Sequence, residues 1–132
     1  MADTNDDASV NLLRAIVQNV SGPQVDWDNW ESMSILVESF QGRFNSVSGS
    51  LYSPDGTISI VAARPSAVLP FVDAYISSKY KPGEKLPVCF LVQYSRKSGK
   101  YTITFEDTDE KRWKITPKNY KELREELRPT FE

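Results

Sequence analysis

The clearest alternation in the chain runs from Tyr101 to Glu106. Tyr101, Ile103 and Phe105 there alternate with Thr102, Thr104 and Glu106. A period of two places successive side chains on opposite faces of a strand. Just upstream, Val88, Phe90 and Val92 alternate with Cys89, Leu91 and Gln93. That strand is apolar on both faces and is expected in the interior of a sheet. Ser95 to Lys100 joins the two as a hairpin turn, with Gly99 expected at positive φ.

Earlier in the chain, Met33, Ile35 and Val37 alternate with Ser34, Leu36 and Glu38, which favours a strand over about residues 32–40, with a helix as the competing reading because the apolar spacing is not clean. Another hairpin follows, with strands over 46–53 and 57–63 flanking Pro54-Asp55-Gly56. Val47, Gly49 and Leu51 are expected on its buried face, joined across the turn by Ile58, Ile60 and Ala62. The other face is rich in Ser and Thr.

Helical spacing occurs in three places. Val10, Leu13, Ile16, Val17 and Val20 form an apolar stripe over 9–20, with Ser9 as its cap and Gly22-Pro23 as its stop. Pro65-Ser66 introduces a second helix to about Tyr80, with Pro70 near a first turn and Leu69, Val72, Tyr75 and Ile76 facing inward. Thr116-Pro117 opens the last helix, with Tyr120, Leu123 and Leu127 inward and Pro129 at its end. Residues 111–115 are expected as a short further strand. The predicted fold is α+β: a single domain whose antiparallel sheet of about five strands has helices packed on one face. Residues 1–8 are expected as a flexible acidic N-terminus, and 9–132 as the domain.

Composition narrows the chemistry. A chain of 132 residues suits one domain. No stretch approaches the ~18–20 apolar residues that span a bilayer. The acidic start Asp3-Thr4-Asn5-Asp6-Asp7 is unlike a secretory signal, and Cys89 has no second cysteine to pair with. A cytoplasmic protein with no membrane role is expected. The chain has no histidine, which excludes Ser-His-Asp and Cys-His catalysis and His-ligated metals. No phosphate-binding loop, CxxC pair or nucleophile elbow is present. The expectation is a non-catalytic binder without a metal or cofactor.

Net charge is −2, unevenly spread: residues 1–60 carry 8 acids and 2 bases, and residues 61–132 carry 10 acids and 14 bases. Three clusters stand out. Asp26-Trp27-Asp28-Asn29-Trp30-Glu31 interleaves acids with tryptophan, the residue most enriched at binding hot spots. Its bland alternative has Trp30 in the core and Trp27 over the end of the first helix. Glu106, Asp107, Asp109 and Glu110 are the densest acids, suited to a basic protein or a divalent cation, or simply a solvated loop. Arg96-Lys97-Ser98-Gly99-Lys100, flanked by Tyr94 and Tyr101, is a basic hairpin tip. With Lys111, Arg112, Trp113 and Lys114 it supports an alternative, a small nucleic-acid-binding module. An exposed edge strand that pairs two copies into a homodimer is a further alternative.

The layout resembles small bacterial immunity proteins of polymorphic toxin and contact-dependent inhibition systems, nearest the YezG-like group. The resembling features are Trp30-Glu31 before a first strand and Ser48-Gly49-Ser50-Leu51-Tyr52 in a hairpin. They continue with a helix from Pro70, a strand led by Pro87, and Gly99-Lys100-Tyr101 running to Phe105-Glu106-Asp107. Val88 stands where that group favours Trp. The resemblance covers roughly residues 10–110. It implies tight, non-catalytic neutralisation of a cognate toxin domain, often a nuclease and therefore basic. Asp26, Trp27, Asp28, Glu106, Asp107, Asp109 and Glu110 are then the expected partner-binding residues.

Overall fold

The computed structural model describes residues 7–23, 25–40 and 43–130. Its elements are α1 (Asp7–Asn19), β1 (Ser32–Phe40), β2 (Arg43–Tyr52), β3 (Ile58–Ala63), α2 (Pro65–Lys79), β4 (Cys89–Ser95), β5 (Tyr101–Glu106) and α3 (Tyr120–Glu126). The strands form one antiparallel sheet in the order β3-β2-β1-β4-β5. The expected α+β domain with a five-stranded antiparallel sheet is what the chain forms. The expected flexible tail falls on residues 1–6, outside the described residues. Asp7 and Ala8 already belong to α1.

β1 is the middle strand, with the bounds its alternation predicts, and it is buried on both faces from Ser32 to Val37. β4 is likewise interior, between β1 and β5. On one face, Met33, Ile35, Val37, Val47, Leu51, Phe90 and Val92 meet Leu12 and Ile16 of α1 and Val68, Val72 and Tyr75 of α2. Phe90 is the hub, with ring centroids 5.6 Å from Phe44, 5.7 Å from Phe105 and 6.2 Å from Tyr75. Each such fully buried ring contributes roughly 1.5–3 kcal/mol over an exposed one.

Several predicted details shift. Of the expected α1 stripe, Ile16 and Val20 are buried and Leu13 and Val17 pack partly against the core, but the fully buried seam also takes in Ser9, Leu12 and Ala15, and Val10 is only half-buried. Ser9 lies inside the helix instead of capping it, and its hydroxyl shares a 2.8 Å hydrogen bond with Tyr101 Oη. α2 runs unbroken through Pro70, well past its first turn.

β3 presents the opposite face from the one expected. Leu51 pairs with Ser59, Gly49 with Val61 and Val47 with Ala63. Residues directly opposite in an antiparallel pair share a face. Ser59, Val61 and Ala63 therefore point to the core, and Ile60 stands 60% exposed. Gly49 is required where it is, because a Cβ there would lie 2.0 Å from the Ser34 carbonyl oxygen of β1.

The expected packing of helices on one face holds for α1 and α2. The chain after β5 instead crosses to the second face of the sheet. Residues 111–115 are turn and coil rather than a strand. Trp113 is buried there against Leu36, Cys89 and Leu91. The final helix starts at Tyr120, not Pro117, because Asn119 ties off a separate turn. Its Oδ1 accepts the Thr116 N–H at 2.7 Å and its Nδ2 donates to Lys114 O at 3.0 Å. Tyr120 is exposed, while Leu123 and Leu127 are half-buried. The second face is largely polar, so polar bonds hold the crossing segment down. Tyr52 Oη donates to Arg124 O at 2.6 Å, Gln93 Nε2 to Leu127 O at 2.8 Å, and Ser34 Oγ also to Leu127 O. Arg124 Nη1 donates to Ser50 Oγ and Gly49 O.

No helix among the described residues is long and apolar enough to cross a membrane.

Candidate partner-binding surface

The segment before β1 folds into a tight turn around Asp26. The Asp26 carbonyl accepts the N–H groups of Asn29 and Trp30, both at 3.2 Å. Its carboxylate accepts the Asp28 N–H at 3.2 Å and Asn29 Nδ2 at 2.7 Å. Aspartate is suited to this role because its short carboxylate reaches backbone donors two residues on. Trp30 plunges into the core at 4% exposure, its ring centroid 6.3 Å from that of Tyr94. Trp27, on the outside of the turn, is 45% exposed. The bland reading thus holds for Trp30, while Trp27 keeps about half of its surface exposed.

Arg96, from the basic hairpin tip, fixes this turn. Its guanidinium lies 4.2 Å from the Trp30 ring centroid. Nη1 donates to Trp27 O at 3.3 Å and Nη2 to Asp28 O at 3.2 Å. Its backbone N–H donates to Glu31 O at 2.7 Å. Beside the turn, a hollow of about 270 Å³ is lined by Asp26, Asn29, Ser53, Pro54, Asp55 and Thr57 among others. Asp55 stays below the usual carboxylate range because it accepts hydrogen bonds from Thr57. The hollow therefore carries the carboxylates of Asp26 and Asp55, with Asp28 in the adjoining turn. The Pro-Asp-Gly turn was legible as a turn, but nothing in the sequence placed Asp55 in one hollow with Asp26. The supporting role of Arg96 was likewise hidden, since its partners lie 68 and 69 residues away.

The second acidic group lies elsewhere. Ser32 pairs with Ser95 at the Trp27 end of the sheet, whereas Glu38 pairs with Cys89 and Cys89 with Glu106 at the far end. Six strand steps separate these rungs, about 20 Å. The seven expected residues thus form two patches at opposite ends rather than one surface. Glu106 is also engaged within its own loop. Arg112 Nη1 donates to it at 2.9 Å, and the Asp109 and Thr108 N–H groups donate at 3.1 and 3.3 Å. The Asp109 N–H bond, then Arg112 and Thr108, hold its carboxyl below the usual range. Asp107, Asp109 and Glu110 remain exposed.

The basic residues of the nucleic-acid alternative are split in the same way. Arg96, Lys97 and Lys100 are at the Trp27 end, and Lys111 and Arg112 at the other. Trp113 is buried at 6% exposure, with the Arg112 guanidinium 4.5 Å from its ring centroid, so its face is closed to a stacking base.

A cleft of about 480 Å³ opens on the second face of the sheet, lined by Ser34, Glu38, Ser48, Tyr52, Trp113 and Arg124 among others. Burial lowers the pKa of Arg124 and raises that of Tyr52. Among the described residues, the lining offers Glu38 as its one carboxylate. Cys89 is buried, and its thiol is pushed up to about 11 by desolvation and then by Glu38, Glu106 and Asp109. It is therefore a packing residue rather than a nucleophile. Among the described residues, no group of three His, Cys, Asp or Glu side chains could hold a metal ion.

No protein-family model, curated protein or solved structure matches the chain.

Proposed function

We propose that this chain is an immunity protein of the cytoplasm. In this reading it binds and neutralises a cognate toxin domain without catalysis. The Trp27 end of the sheet makes the contact. The observation that carries the reading is the outward Trp27, held on a hydrogen-bonded turn between Asp26 and Asp28. A large aromatic ring loses little conformational entropy on binding when its turn is already fixed, which is what an interface anchor requires. The carboxylates of Asp26, Asp28 and Asp55 suit a partner that is basic because it handles polyphosphate. The resemblance to immunity proteins supports the same partner class.

Two sets of variants test the assignment by protection of cells that express the toxin. Trp27→Ala weakens protection, whereas reversing Asp107, Asp109 and Glu110 together leaves most of it. The opposite pattern would move the contact to the far end of the sheet. Full protection by both would refute either surface.

A further inference from the structure

The two outer edges of the sheet differ. On β3, the Ser53 N–H donates to Thr57 O at 3.0 Å. Bonded pairs alternate in an antiparallel ladder. Ser59, Val61 and Ala63 therefore bond to β2, while Ile58, Ile60 and Ala62 turn their backbone groups outward. That edge is capped: Ser21 N–H donates to Ala62 O at 2.9 Å, and Ala62 N–H to Ser21 O at 3.0 Å. Gly22 presses so closely that a Cβ there would lie 2.3 Å from Ile60 O.

Among the described residues, β5 has no such cover. The Ser95 N–H donates to Lys100 O at 2.8 Å, so Gln93–Thr102 and Leu91–Thr104 are the bonded pairs. The N–H and C=O groups of Tyr101, Ile103 and Phe105 then face away from the sheet. Among the described residues these backbone groups have no partner. The strand interior contains no proline and no charge, and its register with β4 is unbroken. Natural edges are usually blunted by just those devices.

The geometry points to a second copy of this chain as the occupant of the β5 edge. The argument is charge complementarity about Ile103. Antiparallel two-fold pairing centred on Ile103 lets the two Ile103 residues exchange backbone bonds. It sets Tyr101 against Phe105 of the second copy, Thr102 against Thr104, and Lys100 against Glu106. Lys100–Glu106 and Thr102–Thr104 fall at non-bonded rungs, where side chains approach most closely. Beyond the strand, the basic tip of each copy, with Lys97 as its free charge, lies toward the acidic loop (Asp109, Glu110) of the other. The same strand would repel a copy laid parallel, because base would meet base. One six-residue edge is a small interface, so the dimer is reversible and concentration-dependent. This inference does not rest on the toxin reading.

Sedimentation of the full chain tests it, over about 1–500 µM protein at low and high salt. The expected result is a monomer–dimer equilibrium that weakens about tenfold or more as salt screens the tip–loop pairs. Two variants sharpen the test at exposed positions. Lys97→Glu with Lys100→Glu makes the tip acidic, and Asp109→Lys with Glu110→Lys makes the loop basic. Each variant alone is expected to be monomeric, whereas an equal mixture forms a heterodimer. Without any substitution, the Ile103 amide should exchange more slowly as wild-type concentration rises. A wild-type chain that stays monomeric throughout overturns the inference. So does a dimer that neither variant weakens, or an Ile103 amide indifferent to concentration.

Discussion

The guanidinium of Arg96 lies 4.2 Å from the ring centroid of Trp30, and its two terminal nitrogens donate to the carbonyls of Trp27 and Asp28. One cation thus ties the base of the turn to its outward face. Replacing it by alanine removes a cation–π contact and two hydrogen bonds. Arg96→Ala should cost about 1–2 kcal/mol of stability in a urea titration. It should also weaken toxin binding. A purely electrostatic view predicts the reverse, because deleting a positive charge favours a basic partner.

The two tryptophans of the turn should separate stability from binding. Trp30→Ala empties a buried site and should cost about 3–5 kcal/mol of folding free energy. Trp27→Ala touches an exposed ring and should stay within about 0.5 kcal/mol of wild type. Its loss in toxin affinity should nevertheless reach about 2 kcal/mol, roughly thirtyfold. Denaturation and calorimetric titration of the same two proteins check both halves.

The facing of β3 can be read from neighbouring substitutions. Val61→Ala removes buried methyl groups and should cost about 2–3 kcal/mol. Ile60→Ser, at a largely exposed position, should cost no more than about 0.5 kcal/mol. Reversed magnitudes would restore the facing that the sequence suggests.

Glu106 should give stability a dependence on acid. Its carboxyl is held below the usual range by the Asp109 and Thr108 N–H groups and by Arg112. A depressed folded-state pKa contributes stability that is fully present above the unfolded-state value. That contribution is lost as pH falls through the folded-state value. Wild type and Glu106→Gln should therefore differ in urea midpoint near neutrality and converge in acid, once pH has fallen below the ordinary glutamate range and through the depressed folded-state value. A difference that persists at low pH would mean that the loop does not depend on the carboxylate.

Much of the sheet was legible because its signals are local. β5 alternates cleanly, β1 competed with a helical reading because Ile35-Leu36-Val37 is apolar throughout, and Gly56 and Gly99 adopt the positive φ that their turns require. The facing of β3 was not legible. Ile58-Ser59-Ile60-Val61-Ala62-Ala63 carries apolar residues in both alternating sets, and only the pairing of Leu51 with Ser59 decides between them. α1 misled similarly: valines flank its true seam, and the small Ser9 and Ala15 lie in it. The course of residues 107–130 was hidden for another reason. Its anchors on Ser34, Ser50, Tyr52 and Gln93 are bonds across the fold with no periodic trace. For the site, acids and tryptophans identified the candidates, but only strand register showed that they occupy opposite ends.

The most direct test is calorimetric titration of this chain with the purified polypeptide encoded by the adjacent reading frame, with its toxic activity followed in the same samples. The account predicts a one-to-one complex in the nanomolar range (about −12 kcal/mol). Activity should fall to background at equivalence, and Trp27→Ala should weaken the complex about thirtyfold and raise the residual activity of dilute samples accordingly. No heat of binding, or binding that leaves the activity intact, would contradict it.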